Sequence, residues 1–397
     1  MAGFNAIDFN NKKVLVRVDF NVPLSSEGKV VDDTRIRAAL PTIKAILERG
    51  GKVVLMSHLG RPDGMKNLKD SLLPVANHLS QLLENKVLLV NNYLEDSNFE
   101  LSEMLLGANV AMLENLRFYK EETEGNEDFA LRLAKLGDVY VNDAFGTAHR
   151  AHASTSIIAQ YFASDKKCFG LLMEAEVNSL KLALSEGKSP KVAIVGGAKV
   201  SSKIDVLKSL ITKVDKVVIG GGMAYTFIKA QGGHVGKSLV EDDKLKVALD
   251  LIHDAKTRGV ELILPIDSVN GTEFKDSAPS SITEISRIPE NEMGLDIGEG
   301  TIALLEEVIK SSKTIIWNGP MGVFEFEKFS HGTESIGKFI VAATKNGAFS
   351  LVGGGDSVAA AKQFKLEDGI SYISTGGGAM LEYLEGKELP GIAAIVN

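Results

Sequence analysis

The sequence predicts an α/β fold of two doubly wound, Rossmann-like parallel-sheet domains joined by a hinge helix, and three observations carry that prediction. Short apolar, β-branched runs recur along the chain, each followed by a polar or glycine-rich turn and then by a longer segment with helical spacing, which is the pattern of repeated βαβ units. The chain has 397 residues, more than one compact core of ordinary size takes up. A helical stretch at 171–184, followed by a linker-like 185–190, separates two such series.

The strand candidates of the first series are 13–18, 52–57, 86–90, 109–113 and 138–141. Those of the second are 191–195, 216–219, 261–264, 314–317, 348–352 and 370–373. Helices are expected between them, for example at 36–49, 68–84, 244–258 and 301–311. Pro41 lies inside the first of these and predicts either a kink or a displaced start. Strands alternating with helices throughout mean parallel sheets covered on both faces. The expected organisation is a first domain over 1–170, a linker helix and hinge over 171–189, a second domain over 190–380, and a terminal segment over 381–397.

Composition narrows the function. With 44% hydrophobic and 24% charged residues, the chain has core material and an ordinary soluble surface. A net charge of −8 argues against a nucleic-acid or anionic-membrane surface, so an anionic ligand must be held by local positive groups. The single cysteine, Cys168, allows neither an internal disulfide nor a thiolate zinc site and fits a reducing, cytoplasmic compartment. Residues 1–20 mix Asn, Asp and Lys among the apolar positions, unlike a signal peptide, and no run approaches a membrane span.

In doubly wound sheets ligands bind beyond the carboxyl ends of the strands, so the residues just after each strand matter most. In the first half these are Asp19, Phe20 and Asn21, then His58, Leu59, Gly60 and Arg61, then Arg117, and then a stretch ending in His149, Arg150 and His152. Eight of the ten arginines fall within residues 1–150, and Arg35 opens the helix after the first post-strand loop. Guanidinium forks grip phosphate and carboxylate oxygens at two points, so the first half reads as a small-anion site. The second half instead carries glycine clusters at 196–197, 220–222, 353–355 and 376–378. Glycines let backbone amides and helix N-termini approach phosphate, so this half reads as a nucleotide site. Asp356 either caps the helix that follows it or binds a metal, and the pattern leaves both open.

Missing motifs narrow the chemistry further. Gly236-Lys237-Ser238 has Gln231 where a P-loop needs glycine. The clusters at Gly220, Gly353 and Gly376 carry Tyr225, Val358 and Leu381 in place of the third glycine of the dinucleotide fingerprint, which disfavours an NAD-dependent dehydrogenase.

The heptapeptide Arg17-Val18-Asp19-Phe20-Asn21-Val22-Pro23 closely resembles the signature of phosphoglycerate kinases, and motifs beginning at Ser57, Glu114, Ala144, Gly196, Gly319, Gly353 and Gly376 resemble family motifs in the same order. That resemblance implies reversible phosphoryl transfer between 1,3-bisphosphoglycerate and ADP, giving 3-phosphoglycerate and ATP, with Mg2+ and hinge closure. It implies that Asp19, Phe20, Asn21, Arg35, His58, Leu59, Gly60, Arg61, Arg117 and Arg150 hold the phosphoglycerate. Gly197, Lys203, Gly221, Gly294, Asn318, Pro320, Glu325, Gly354, Gly355, Asp356 and Ser357 would hold the nucleotide, with Asp356 on the metal. Arg35, Lys199, Lys203, Gly376 and Gly377 would serve the transfer itself, the terminal segment would return to the first domain, and the protein would be a monomer. The expected chemistry is positioning plus charge stabilisation, which needs no side-chain nucleophile. A non-catalytic two-lobed binding protein is the alternative reading.

Overall fold

The computed structural model describes residues 3–94, 105 and 107–396. The chain divides into two compact units, Met1–Val177 with Glu388–Asn397, and Asn178–Lys387.

The first unit contains β1 (Lys13–Arg17), β2 (Lys52–Met56), β3 (Val87–Val90), β4 (Val110–Leu113), β5 (Val139–Asn142) and β6 (Lys167–Phe169). They pair in parallel in the order β3-β4-β2-β1-β5-β6. Side chains alternate faces along a strand, so Val14, Val16, Val53, Leu55, Val110, Met112, Val139 and Val141 share one side. There they join Ile36, Ala39, Ile43 and Ile46 of the Thr34–Glu48 helix and Val75, Ala76 and Leu79 of the Leu73–Leu83 helix in one core cluster. Leu15, Val54, Ala111 and Tyr140 point to the other face and are also fully buried, so the sheet is covered on both sides. Each such side chain stabilises the fold by roughly 1.5–3 kcal/mol relative to exposure.

The Thr34–Glu48 helix begins well before Pro41 and continues through it, so the proline does not set its start. β6 was not anticipated: three residues are too short to show a period. The other strand boundaries of this unit differ from expectation by about one residue, as the edges of strands commonly do.

In the second unit the strands are β7 (Lys191–Val195), β8 (Lys216–Ile219), β9 (His234–Val235), β10 (Glu261–Ile263), β11 (Asp267–Gly271), β12 (Ser280–Glu284), β13 (Arg287–Ile288), β14 (Met293–Ile297), β15 (Thr314–Asn318), β16 (Phe349–Val352) and β17 (Tyr372–Ile373). The main parallel sheet runs β10-β8-β7-β15-β16-β17, with Trp317 fully buried in the core below it. A smaller antiparallel sheet, β12-β11-β14, and the short pair β13-β9 are additions that the sequence reading missed. β12 reads Ser-Ser-Ile-Thr-Glu and alternates only between exposed and half-buried, so no apolar period marks it.

Two expected boundaries differ from the structure. The chain leaves the first unit at Val177, within the Leu171–Lys181 helix, rather than across the whole of 171–189. The expected terminal segment at 381–397 begins only at Glu388, because Leu384 is fully buried with the second unit in the Gly378–Leu384 helix. The Pro390–Val396 helix belongs to the first unit: the Gly391 N–H donates to Ala148 O at 2.8 Å, Asn142 Nδ2 donates to Gly391 O at 3.1 Å and Lys167 Nζ donates to Ala394 O at 2.9 Å. No helix among the described residues is long and apolar enough to cross a membrane.

Candidate active site

In the first unit β1, β2, β4 and β5 end side by side, and the loops that follow them bring together residues from 17 to 154. Asn21 Oδ1 accepts the Gly60 N–H at 3.0 Å, and Ser57 Oγ accepts the Phe20 N–H at 2.9 Å, which ties the first post-strand loop to the second. Asn115 ties the second loop to the third, accepting from Leu59 N at 3.2 Å and Arg117 N at 3.0 Å while donating to Leu59 O at 2.7 Å. Arg117 Nη1 donates to Gly60 O at 2.8 Å. Arg35 Nη1 reaches back to Asp19 Oδ2 at 2.9 Å and Asn21 O at 3.2 Å.

The outcome is a concentration of cationic and imidazole groups. Burial, with Arg17 as the next cause, lowers the pKa of Arg117. Burial and then Arg17, Arg117, His152 and Arg35 hold His58 well below the ordinary histidine range. His152 is pushed down to about 4, first by burial and then by Arg17, Arg117, Arg150 and His149. Arg61 and Arg150 are exposed, and their guanidinium groups make no hydrogen bond or ion pair among the described residues. Cations crowded in this way repel one another and favour an anion, which relieves the repulsion on binding. A cavity of about 630 Å³ beside this cluster is lined by Asn21, Leu59 and Gly60, and by loop residues 22–28 and 68–74 in part.

Phe20 differs from expectation. Its ring is fully buried in the core cluster, so it anchors the Asp19-Asn21 loop from below rather than facing a ligand. Sequence reading also passed over the support beneath the site: Arg17, Glu122 and Ser154 are almost wholly buried and mutually bonded. A charged residue between apolar neighbours was the available signal, because such a residue is seldom buried without a partner.

In the second unit the loops after β7, β8 and β15 are layered, and Asn318 Nδ2 ties the loop after β16 to them by donating to Gly353 O at 2.7 Å. The Gly196 N–H donates to Asn318 O at 3.0 Å, the Gly221 N–H to Met321 O at 3.1 Å and the Met223 N–H to Gly197 O at 2.9 Å. They enclose a cavity of about 340 Å³ lined by residues that include Gly197, Lys199, Lys203, Asn318, Gly354, Gly355, Asp356 and Ser357. Lys203 Nζ donates to Asn318 Oδ1 at 2.5 Å, and burial lowers its pKa against the opposing pull of Asp356 and Glu385. Lys199 is exposed at the rim. Gly354 has φ +94°, a left-handed conformation that favours glycine, and it precedes the Gly355–Gln363 helix. No side chain caps that helix, so the sequence alternative of Asp356 as the capping group is not what the structure adopts. The Asp356 carboxylate is exposed.

A neighbouring cavity of about 260 Å³ shares Gly197 and Asp356 and is otherwise lined by Gly221, Tyr225, Leu239, Phe274, Met293, Gly294, Leu295, Pro320, Met321, Val323 and Glu325, among others. It joins apolar walls to glycine backbone, which suits a flat heteroaromatic ring. Tyr225, Leu239, Phe274, Met293 and Met321 were not anticipated, since scattered apolar residues resemble ordinary core.

Three other expected residues, Ser357, Gly376 and Gly377, have further or different roles in the structure. Ser357 Oγ accepts the Gly319 N–H at 2.5 Å, so its hydroxyl also locks two loops together. Gly376 and Gly377 line none of these three cavities, whereas nearby Leu381 lines the one of about 340 Å³. The Gly376 N–H donates to Ser374 Oγ at 3.1 Å, which engages the amide that sequence reading offered to a ligand.

A family model described as phosphoglycerate kinase matches residues 4–387. The chain belongs to the phosphoglycerate kinase family. It is 50% identical to the phosphoglycerate kinase of Thermosynechococcus vestitus over 396 residues, covering 100% of this chain and 98% of that protein. It is 51% identical to a cytosolic phosphoglycerate kinase of Triticum aestivum over 388 residues, covering 98% and 96%. The solved structure of phosphoglycerate kinase from Coxiella burnetii superposes with a TM-score of 0.92 at 42% identity, covering 100% of this chain and 98% of that one. The protein is thus a kinase of glycolysis that catalyses reversible phosphoryl transfer between 1,3-bisphosphoglycerate and ADP, giving 3-phosphoglycerate and ATP. These high-coverage relatives do not favour the dehydrogenase and non-catalytic alternatives.

Proposed function

We propose that the basic cluster of the first unit holds the phosphoglycerate and that the glycine-lined cavities of the second hold the nucleotide. Asp19 and Asn21 bond the hydroxyl and carboxyl end, His58, Arg61, Arg117 and Arg150 clamp the phosphate, and Leu59 and Gly60 shape the wall. The observation that carries this reading is the crowding of Arg17, Arg35, Arg117, His58 and His152 in one place, where burial first and then the neighbouring cations keep both imidazoles below the ordinary histidine range. The adenine lies against Gly221, Gly294, Pro320 and Glu325. The phosphates lie along Gly197, Asn318 and the Gly354 to Ser357 turn, where the helix N-terminus favours negative charge.

The transferred group develops charge on its equatorial oxygens, and preorganised donors there lower the barrier. Arg35, Lys199 and Lys203 supply such donors, and with the Gly376 amide engaged, the backbone contribution from that loop falls to Gly377. Asp356 fits Mg2+, since its exposed carboxylate lines both nucleotide cavities and no group of three or more acidic, His or Cys side chains able to hold a metal occurs among the described residues. One carboxylate plus substrate phosphates is the usual way this ion is held, and when bound it neutralises phosphate charge. In-line transfer places acceptor, phosphorus and leaving oxygen on one axis, which we assign to hinge closure. The 171–189 segment is the proposed hinge, a monomer the proposed state and the cytoplasm the proposed location.

The test is Mg2+-dependent turnover of ATP with 3-phosphoglycerate, coupled to reduction of the acyl phosphate. Arg35→Ala is expected to lower kcat by about 100-fold or more. Full turnover by this variant would remove Arg35 from the transfer.

A further inference from the structure

We propose that Glu122 and Ser154 are positioning residues for phosphoglycerate binding: acting through Arg17, they hold His58 as the neutral imidazole protonated at Nε2, ready to donate to an anionic substrate oxygen. The inference rests on the placement of phosphoglycerate beside His58 stated above.

The direction of each bond in the chain is fixed by chemistry. Glu122, wholly buried on the Lys120–Glu124 helix, accepts the Ser154 N–H at Oε2 (3.0 Å) and the Ser154 hydroxyl at Oε1 (2.6 Å). The hydroxyl has one proton, and with that proton given to the carboxylate its lone pair faces outward. Arg17 Nε–H donates to this oxygen at 2.7 Å, and Nη1 donates to Val18 O. Arg17 Nη2 then lies 3.3 Å from His58 Nδ1 and 3.9 Å from Glu122 Oε1. A guanidinium has donors only and keeps its charge, so Nδ1 must be the acceptor. The proton of the neutral ring therefore sits on Nε2, the nitrogen Arg17 leaves unclaimed.

The charge arrangement makes this costly to rearrange. Arg17 is 1% exposed and its nearest carboxylate is that of Glu122. Without that carboxylate Arg17 becomes an uncompensated buried cation, a strongly destabilising state that drives it toward solvent. The other charged or titratable groups facing His58 are Arg35, Arg117 and His152. No hydrogen bond from any of them to His58 replaces that of Arg17 among the described residues.

The experiment combines 15N NMR of histidine-labelled full-length protein with steady-state kinetics. Wild type is expected to show His58 with a protonated Nε2 and an unprotonated Nδ1 throughout pH 6 to 8. In Ser154→Ala, which keeps both charges, and in Glu122→Gln, the His58 signals are expected to move to a mixture of forms. KM for 3-phosphoglycerate is expected to rise about ten-fold, as for loss of a charge-assisted hydrogen bond, with KM for MgATP unchanged. Glu122→Asp is expected to restore part of the loss. A wild-type His58 protonated at Nδ1, or variants with unchanged KM for 3-phosphoglycerate, would overturn the proposal. So would equal rises in both KM values with a lowered melting temperature, since these indicate general structural damage. A separate titration of wild type with 3-phosphoglycerate distinguishes the two layers. Unmoved His58 signals with the expected tautomer refute the substrate placement, while a ligand response from the other tautomer refutes the positioning alone.

Discussion

Gly196 is the sharpest place to perturb the loops proposed to hold the nucleotide, because its conformation is one other residues can adopt while its surroundings leave no room. A Cβ there would lie 1.9 Å from Pro320 O and 2.8 Å from both Gly319 C and Pro320 C, all backbone atoms. To recover the ordinary contact distance of 3.4 Å, the chain at 319–320 must retreat by roughly 1.5 Å. Gly196 and Gly319 both line the cavity of about 340 Å³ proposed for the phosphates, and Pro320 lines the adjacent one, so the wedge falls between the two. Overpacking of this kind costs about 1–3 kcal/mol in stability, and a misplacement of about 1 Å around reacting groups costs on the order of 100-fold in rate. Gly196→Ala is therefore expected to raise KM for MgATP at least ten-fold and to lower kcat, leaving KM for 3-phosphoglycerate unchanged. The coupled assay with each substrate varied in turn reads this, and urea unfolding reads the stability. A variant with wild-type nucleotide kinetics would refute the claim that the close approach of 196 to 320 shapes the site.

Three further predictions address separate parts of the protein. Lys203→Met keeps the length of the side chain but removes the cation that donates to Asn318 and lines the cavity proposed for the phosphates, so kcat is expected to fall about 100-fold or more while the melting temperature changes little; kcat within a few-fold of wild type would exclude it from the transfer. Asp356→Asn is expected to raise the Mg2+ concentration needed for half-maximal rate at least ten-fold, and an unchanged requirement would move the metal elsewhere. Asp143 is fully buried and burial pushes its pKa up to about 7, so the folded protein binds the proton more tightly than the unfolded chain. Its contribution is greatest below the ordinary carboxylate range and is lost as pH rises toward 7, on the order of 2–4 kcal/mol across that window. Asp143→Asn is expected to flatten the decline of the urea midpoint between pH 5 and 8; an undiminished slope would show that Asp143 does not titrate on unfolding.

Local order was legible because burial leaves a period in the sequence. The run Lys13-Val14-Leu15-Val16-Arg17 announces a strand buried on both faces, and all its residues after Lys13 are indeed buried. The loops after the strands could be read as ligand loops because chain direction in a parallel sheet sends them all to one edge. β12 could not be read in that way, since its residues are exposed or half-buried and mostly polar. The change of unit at Glu388 was equally hidden, because the change from the charged 381–387 to the mostly apolar 388–396 does not say which unit each segment packs against.

By itself the sequence determined the repeated βαβ plan, the positions of the post-strand loops, the concentration of arginine in the first half and of glycine clusters in the second, and the motifs that mark the family. Tertiary structure decided which of these groups meet. Arg17 and Ser154 are 137 residues apart and Lys203 and Asn318 are 115 apart, yet each pair is hydrogen-bonded. It also decided that Phe20 faces the core, that Gly376 spends its amide on Ser374, and that Glu122 is a buried counter-ion rather than a solvated surface charge. The physical reason is that periodicity records only which face of an element is buried. Strand order and the partners of a buried charge follow from packing between distant segments, whose geometry no local pattern contains.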